Sequence, residues 1–173
     1  EKGVDGLWRF EIPDGKLKVK VKTGTYKVGD IYEGELLKAH PEIADIEVTV
    51  ELEPGRNLLI FGEGTMTTTK EGDYFKIDLN VATQLKSILE HELMHITQFK
   101  EGFARSGSYN DEKIKKSFFG QAFDFKAYAK YRKIAGEVEA RNVERRSTMT
   151  PAERKAKMLL ETEDVAREQQ IVL

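Results

Sequence analysis

No cysteine occurs in the chain, so a disulfide framework and a thiolate metal site are both excluded, and any metal has to be held by histidines and carboxylates. Histidine is scarce as well, with three in 173 residues. An excess of one charge is also missing. The 28 basic and 30 acidic residues leave a formal net charge of -2, which removes the electrostatic case for nucleic acid or an anionic membrane. No apolar run approaches the ~18 residues of a membrane span. The opening Glu1-Lys2-Gly3 lacks an initiator Met and reads as a processed or excised piece, so a signal peptide upstream stays open. What is present, 39% hydrophobic residues over this length, is enough for a core. A single domain spanning 1–173 is expected.

The first half alternates. Leu7 to Ile12 and Leu17 to Val21 read as strands around a Pro13-Asp14-Gly15 turn, and Val28-Gly29-Asp30 as another turn. Glu35 to His40 has room for one helical turn before Pro41. Ile46 to Leu52 alternates strictly and predicts a strand; Leu58 to Phe61, Gly64 to Thr69 and Tyr74 to Leu79 predict three more, the last two as a hairpin. The second half changes period. Asn80 is a candidate N-cap for a helix running to about Lys100, with Gly102 placed to end it. Leu85, Ile88, Leu89, Leu93 and Ile96 cover one side of that helix, and Ile88 and Phe99 frame its other face. A polar loop follows over 102–116, then a second long helix over about 122–145. Thr150-Pro151-Ala152-Glu153 carries the Thr, Pro and Glu of a capping box and starts a last helix holding Met158, Leu159 and Val165. The expected fold class is therefore α+β, with a β-rich half over about 1–79 and a helical half over about 80–173.

Two of the three histidines lie in the predicted first long helix, in His91-Glu92-Leu93-Met94-His95. At ~100° per residue His91 and His95 fall about 40° apart on one face, and Glu92 lies within the same arc. Neutral imidazoles one turn apart can ligate one ion, and a carboxylate beside them can take a proton from water. The alternative is two core histidines hydrogen-bonded to carbonyls. A catalytic zinc needs a third protein ligand. His40, beside Pro41, reads as a surface residue. The next helix offers Glu137 and Glu139, which at ~200° apart cannot both point at one ion. Glu137 shares a stripe with Lys130, Lys133, Arg141 and Glu144, whereas Glu139 has Ala135, Gly136, Asn142 and Val143 within a turn and Tyr128 further along. Glu139 is therefore the first choice of ligand and Glu137 the fallback.

Several segments together resemble a zincin metallopeptidase of the glutamate-ligand type, the gluzincins. More closely, they resemble the zincin-like domains embedded in large polyvalent proteins of phages and mobile elements of gut bacteria. The resemblance rests on Leu89 to Gln98 running into Glu101-Gly102-Phe103-Ala104, on Ala135 to Val143, on Thr150 to Arg154, on Glu163 to Arg167 and on Asp5 to Ile12. It implies a zinc ion, a twisted sheet over the active helix, and a ligand Glu followed by Ala, which matches Glu139-Ala140. As a domain of such a protein the chain would be cytoplasmic. The substrate is not part of what the resemblance implies.

The expected activity is peptide-bond hydrolysis, with zinc on His91, His95 and Glu139 and with Glu92 as general base. Tyr109, in the polar loop, is a candidate donor to the reacting carbonyl, while Tyr128 and Tyr131 read as core residues. The strand Tyr74 to Leu79 or its hairpin partner could take an extended peptide or protein substrate as an added strand. The rivals are a zincin-fold binding module without proteolysis, and a structural zinc closed by a fourth protein ligand. No nucleic acid or membrane partner is expected, and the oligomeric state is left open.

Overall fold

A computed structural model describes residues 1–9, 15–52, 63–69, 72–81, 85–107 and 125–173; for 52, 63–69, 72–76, 78–81 and 125–127 the backbone alone is described. Helices and small sheets are mixed, as an α+β chain requires. The strands are β1 (Lys16–Leu17), β2 (Gly24–Lys27), β3 (Tyr32–Glu33), β4 (Glu47–Leu52), β5 (Glu63–Thr69) and β6 (Gly72–Val81). The α-helices are α1 (Val28–Ile31), α2 (Glu35–Ala39), α3 (Leu85–Glu101), α4 (Phe125–Tyr131), α5 (Ala135–Arg146) and α6 (Pro151–Ala156). Contacts divide the chain into two compact units, Phe10–Leu93 and Glu1–Arg9 with Met94–Leu173. The division falls inside α3 rather than at residue 79, and it assigns the first nine residues to the helical unit.

In the β-rich unit the main sheet has the order β2-β4-β6-β5, with a separate pair β1-β3. Strand β4 runs antiparallel to β2 and parallel to β6. That central position explains the strict alternation: Val48 and Val50 are fully buried while Glu51 on the opposite phase is exposed. Val28, Ile31, Ile43, Ile77, Leu89 and Leu93 complete the unit's core. Pro41 does limit α2, and a 3-10 turn over Pro41–Asp45 follows it.

Three expectations for this half need correction. Val28 to Asp30 is the start of the short helix α1. Asn80 does not cap α3, because it lies in β6 paired with Glu51 on one side and Glu63 on the other. Strand β6 itself has a neighbour on both edges, so it offers no free edge to a peptide; its hairpin partner β5 is an edge of the described sheet. The strands expected at Leu7 to Ile12 and Leu58 to Phe61 fall wholly or partly outside the described residues, and of Leu17 to Val21 only Leu17 lies in a strand, the two-residue β1.

Helix α3 forms where the apolar spacing places it. Ile88, Leu89, Leu93 and Ile96 are buried, and Gly102 ends it at φ +66, a left-handed geometry that favours glycine. Phe99 is 42% exposed, with the Arg105 guanidinium over its ring, so it does not wall the histidines.

In the helical unit the long helix expected over 122–145 is two helices. The chain turns at Arg132 and Lys133, and Ile134 leaves helical geometry at φ -63, ψ 127. The C-terminal segment holds that break open: Ile171 donates to the Lys133 carbonyl and accepts from the Ala135 N–H. Gly136 thus sits in the first turn of α5, where a Cβ would come within 2.4 Å of the Arg105 carbonyl carbon. The capping box on α6 is present, with Thr150 accepting from the Glu153 N–H and the Glu153 carboxylate accepting from the Thr150 N–H. The helix itself stops at Ala156, so Met158, Leu159 and Val165 lie beyond it among short 3-10 turns. Among the described residues no helix is long and apolar enough to cross a membrane.

The turns after α6 are tied back through Asp164, which accepts from Arg141 and Arg132. Burial alone would raise the Asp164 carboxyl, but those two donors and their charge outweigh it and hold it below its usual value. A lowered folded-state value means that this stabilisation is complete above the unfolded value and is lost as pH falls through the folded one. Asp164→Asn is therefore expected to cost about 1 kcal/mol at neutral pH, discounted for partial exposure, and almost nothing in strong acid. Urea melts at the two pH values check both figures.

Candidate metal centre

Helix α3 places His91 and His95 one turn apart, as the spacing predicts. The acidic group that joins them is Glu137 of α5. His91, His95 and Glu137 each offer a ligand atom, and these atoms all lie within 4.8 Å of one another. Glu137 is 2% exposed, and its Oε1 faces His95 Nε2 at 3.7 Å. Tyr131, the last residue of α4, donates to Oε2 of Glu137 at 2.6 Å and so fixes which oxygen turns to the histidine. Glu92, between the two histidines and 5% exposed, brings a second carboxylate into the same buried stretch.

Glu139 is held elsewhere. Its carboxylate accepts from the Arg9 guanidinium and from the side-chain amide of Gln98. Arg9 also donates to Asp5 at 2.7 Å and lies over the Phe103 ring, 3.6 Å from its centroid. Burial pushes the Glu139 carboxyl up, against the pull of Arg9 and Gln98. The same burial would lower Arg9, but Asp5 and Glu139 hold it above its usual value. It would also raise Asp5, yet Arg9 and the N–H groups of Ala104 and Leu7 hold that carboxyl low.

The structure brings Glu137, rather than Glu139, to the two histidines, and the cause is the break at Ile134. The charged stripe that argued against Glu137 drew on Lys130 and Lys133, which precede the break and share no helix with it. Its other members, Arg141 and Glu144, lie further along α5, where Arg141 turns to Asp164. Among the small residues around Glu139, Gly136 packs against the 105–106 backbone.

Tyr131 was read as core and is a partner of Glu137 instead. On one continuous helix, positions six apart lie about 120° apart, so no face argument could have paired them. His40 is half-buried near Glu42 and lies apart from the cluster. Tyr128 is exposed, and Tyr109 lies outside the described residues.

The donor set suits a divalent ion that accepts nitrogen and oxygen ligands. Two imidazoles and one carboxylate, without thiolate, are the three protein ligands of one recurrent catalytic zinc arrangement. One carboxylate oxygen already engaged by a tyrosine is the outer-shell support that such ligands commonly have. Among known proteins, no family model, no curated protein and no solved structure matches this chain.

Proposed function

We propose that the chain is a zinc-dependent peptidase of the zincin type, with His91, His95 and Glu137 as the metal ligands and Glu92 as the general base. One observation carries this reading: His91, His95 and Glu137 converge to within 4.8 Å, and the buried Glu92 follows directly after the first histidine. Zinc in such a set supplies Lewis acidity, which polarises a carbonyl and acidifies water toward a pKa of ~7.

The protein's own groups do the rest. Glu92 accepts the proton of the attacking water and passes it to the departing amine, so that the peptide bond breaks with one water consumed. Tyr131 holds Glu137 in orientation through its hydroxyl. Among the described residues the set has three protein ligands, which would leave room for a water or a substrate oxygen, as a catalytic rather than a structural site requires. The resemblance to zincin-like domains of phage and mobile-element polyvalent proteins supports the zincin reading through Leu89 to Gln98 and Ala135 to Val143, while its pattern of a ligand Glu followed by Ala matches Glu139 rather than Glu137.

Zinc content per chain, followed by cleavage of an unfolded protein substrate with and without chelator, tests the proposal. The expected result is about one zinc per chain and cleavage that stops on chelation. Zinc with no cleavage across a peptide library favours a binding module, and absence of zinc removes both metal readings.

A further inference from the structure

Gln98 is 1% exposed and sits one turn after His95 on α3. Its side-chain nitrogen donates to two groups, the Gly136 carbonyl at 2.9 Å and the Glu139 carboxylate at 3.0 Å. A carbonyl and an arginine-paired carboxylate are both acceptors, so they assign the NH2 end of the amide without reference to the histidine. The amide oxygen then faces His95 Nδ1 at 3.1 Å. An amide oxygen only accepts, so Nδ1 has to carry the ring hydrogen. In a neutral ring Nε2 is then left with a lone pair, and Nε2 is the atom that faces Glu137 Oε1.

We propose that Gln98 is a positioning residue that fixes His95 in the Nδ1–H form and so presents Nε2 as a ready ligand. This rests on the metal reading of His91, His95 and Glu137. The orientation of Gln98 is itself set by the Asp5–Arg9–Glu139 chain, because Arg9 pairs with the Glu139 side chain and holds it where its Oε2 accepts from the amide. Residues of the N-terminal segment thereby act on His95 through two intermediaries, without touching it. Glu139 has a role in the centre after all, as the group that orients the amide.

The hydrogen position can be read directly. Long-range proton–nitrogen NMR correlations of the metal-free full chain, recorded at mildly alkaline pH where imidazole is neutral, distinguish the two tautomers. The expected pattern for His95 is a protonated Nδ1 and a bare Nε2. Gln98→Met, similar in length but without the amide, is expected to lose that fixed pattern and to bind zinc 10- to 100-fold more weakly, the range for loss of an outer-shell partner.

A wild-type His95 with the hydrogen on Nε2 overturns the proposal, as does a folded Gln98→Met variant that keeps both the pattern and the affinity. If that variant fails to fold, the wild-type spectrum decides alone. A wild type that shows the Nδ1–H pattern but takes up no zinc overturns the metal reading while leaving the hydrogen assignment standing.

Discussion

Glu92→Gln is expected to keep its zinc and lose about 10²- to 10⁴-fold in turnover, the contribution of a positioned acid–base group. The substitution preserves shape and leaves His91, His95 and Glu137 untouched, so metal content should stay at the wild-type level. What it removes is the ability to accept a proton. Glu92 is 5% exposed, and Gln matches its size and shape, so the variant should stay folded. Single-turnover cleavage beside metal analysis checks both halves. Full activity in this variant would end the assignment of Glu92 as base, whatever the metal does.

The second large effect separates the two glutamates of α5. Glu137→Gln is expected to weaken zinc binding by at least ~100-fold, beyond the 10- to 100-fold range for an outer-shell partner. It removes a charged ligand from a set of three. Glu139→Gln is expected to leave zinc affinity within ~10-fold but to lower folding stability by roughly 1.5–3 kcal/mol. The reason is that, among the described residues, a buried guanidinium then keeps only Asp5 as its carboxylate partner. Competition with a chromogenic chelator gives the affinities and urea melts give the stabilities. The reverse pattern, zinc lost with Glu139 and kept without Glu137, would return the third-ligand role to Glu139.

Much of the architecture was legible because the relevant signals are local. The alternation of Ile46 to Leu52 marks a strand with one buried phase, and Val48 and Val50 are that phase. The apolar spacing from Leu85 to Ile96 marks α3, and Gly102 supplies the positive φ that ends it. Thr150 and Glu153 form the capping box their spacing predicts. Each of these is decided by groups within a few residues of one another. Where a longer element was inferred, the inference carried too far. Nothing local in Tyr131 to Ile134 announces a break, because the hydrogen bonds that hold it come from Ile171, 37 residues after Ile134.

The HExxH pair depended on the sequence alone: any α-helix through these residues puts His91 and His95 on one face, with Glu92 beside them, because 3.6 residues per turn leave no other choice. Which glutamate joins the histidines depended on where one helix stops and the next begins. Residues 137 and 139 differ by ~200° in direction, so the phase of α5 decides which one meets the histidines. That phase is reset at Ile134 by the C-terminal segment, and Gly136 packs against the 105–106 backbone. Contacts made across large sequence separations left no periodic trace to read. They are why Glu137 stands with the histidines and Glu139 with Arg9.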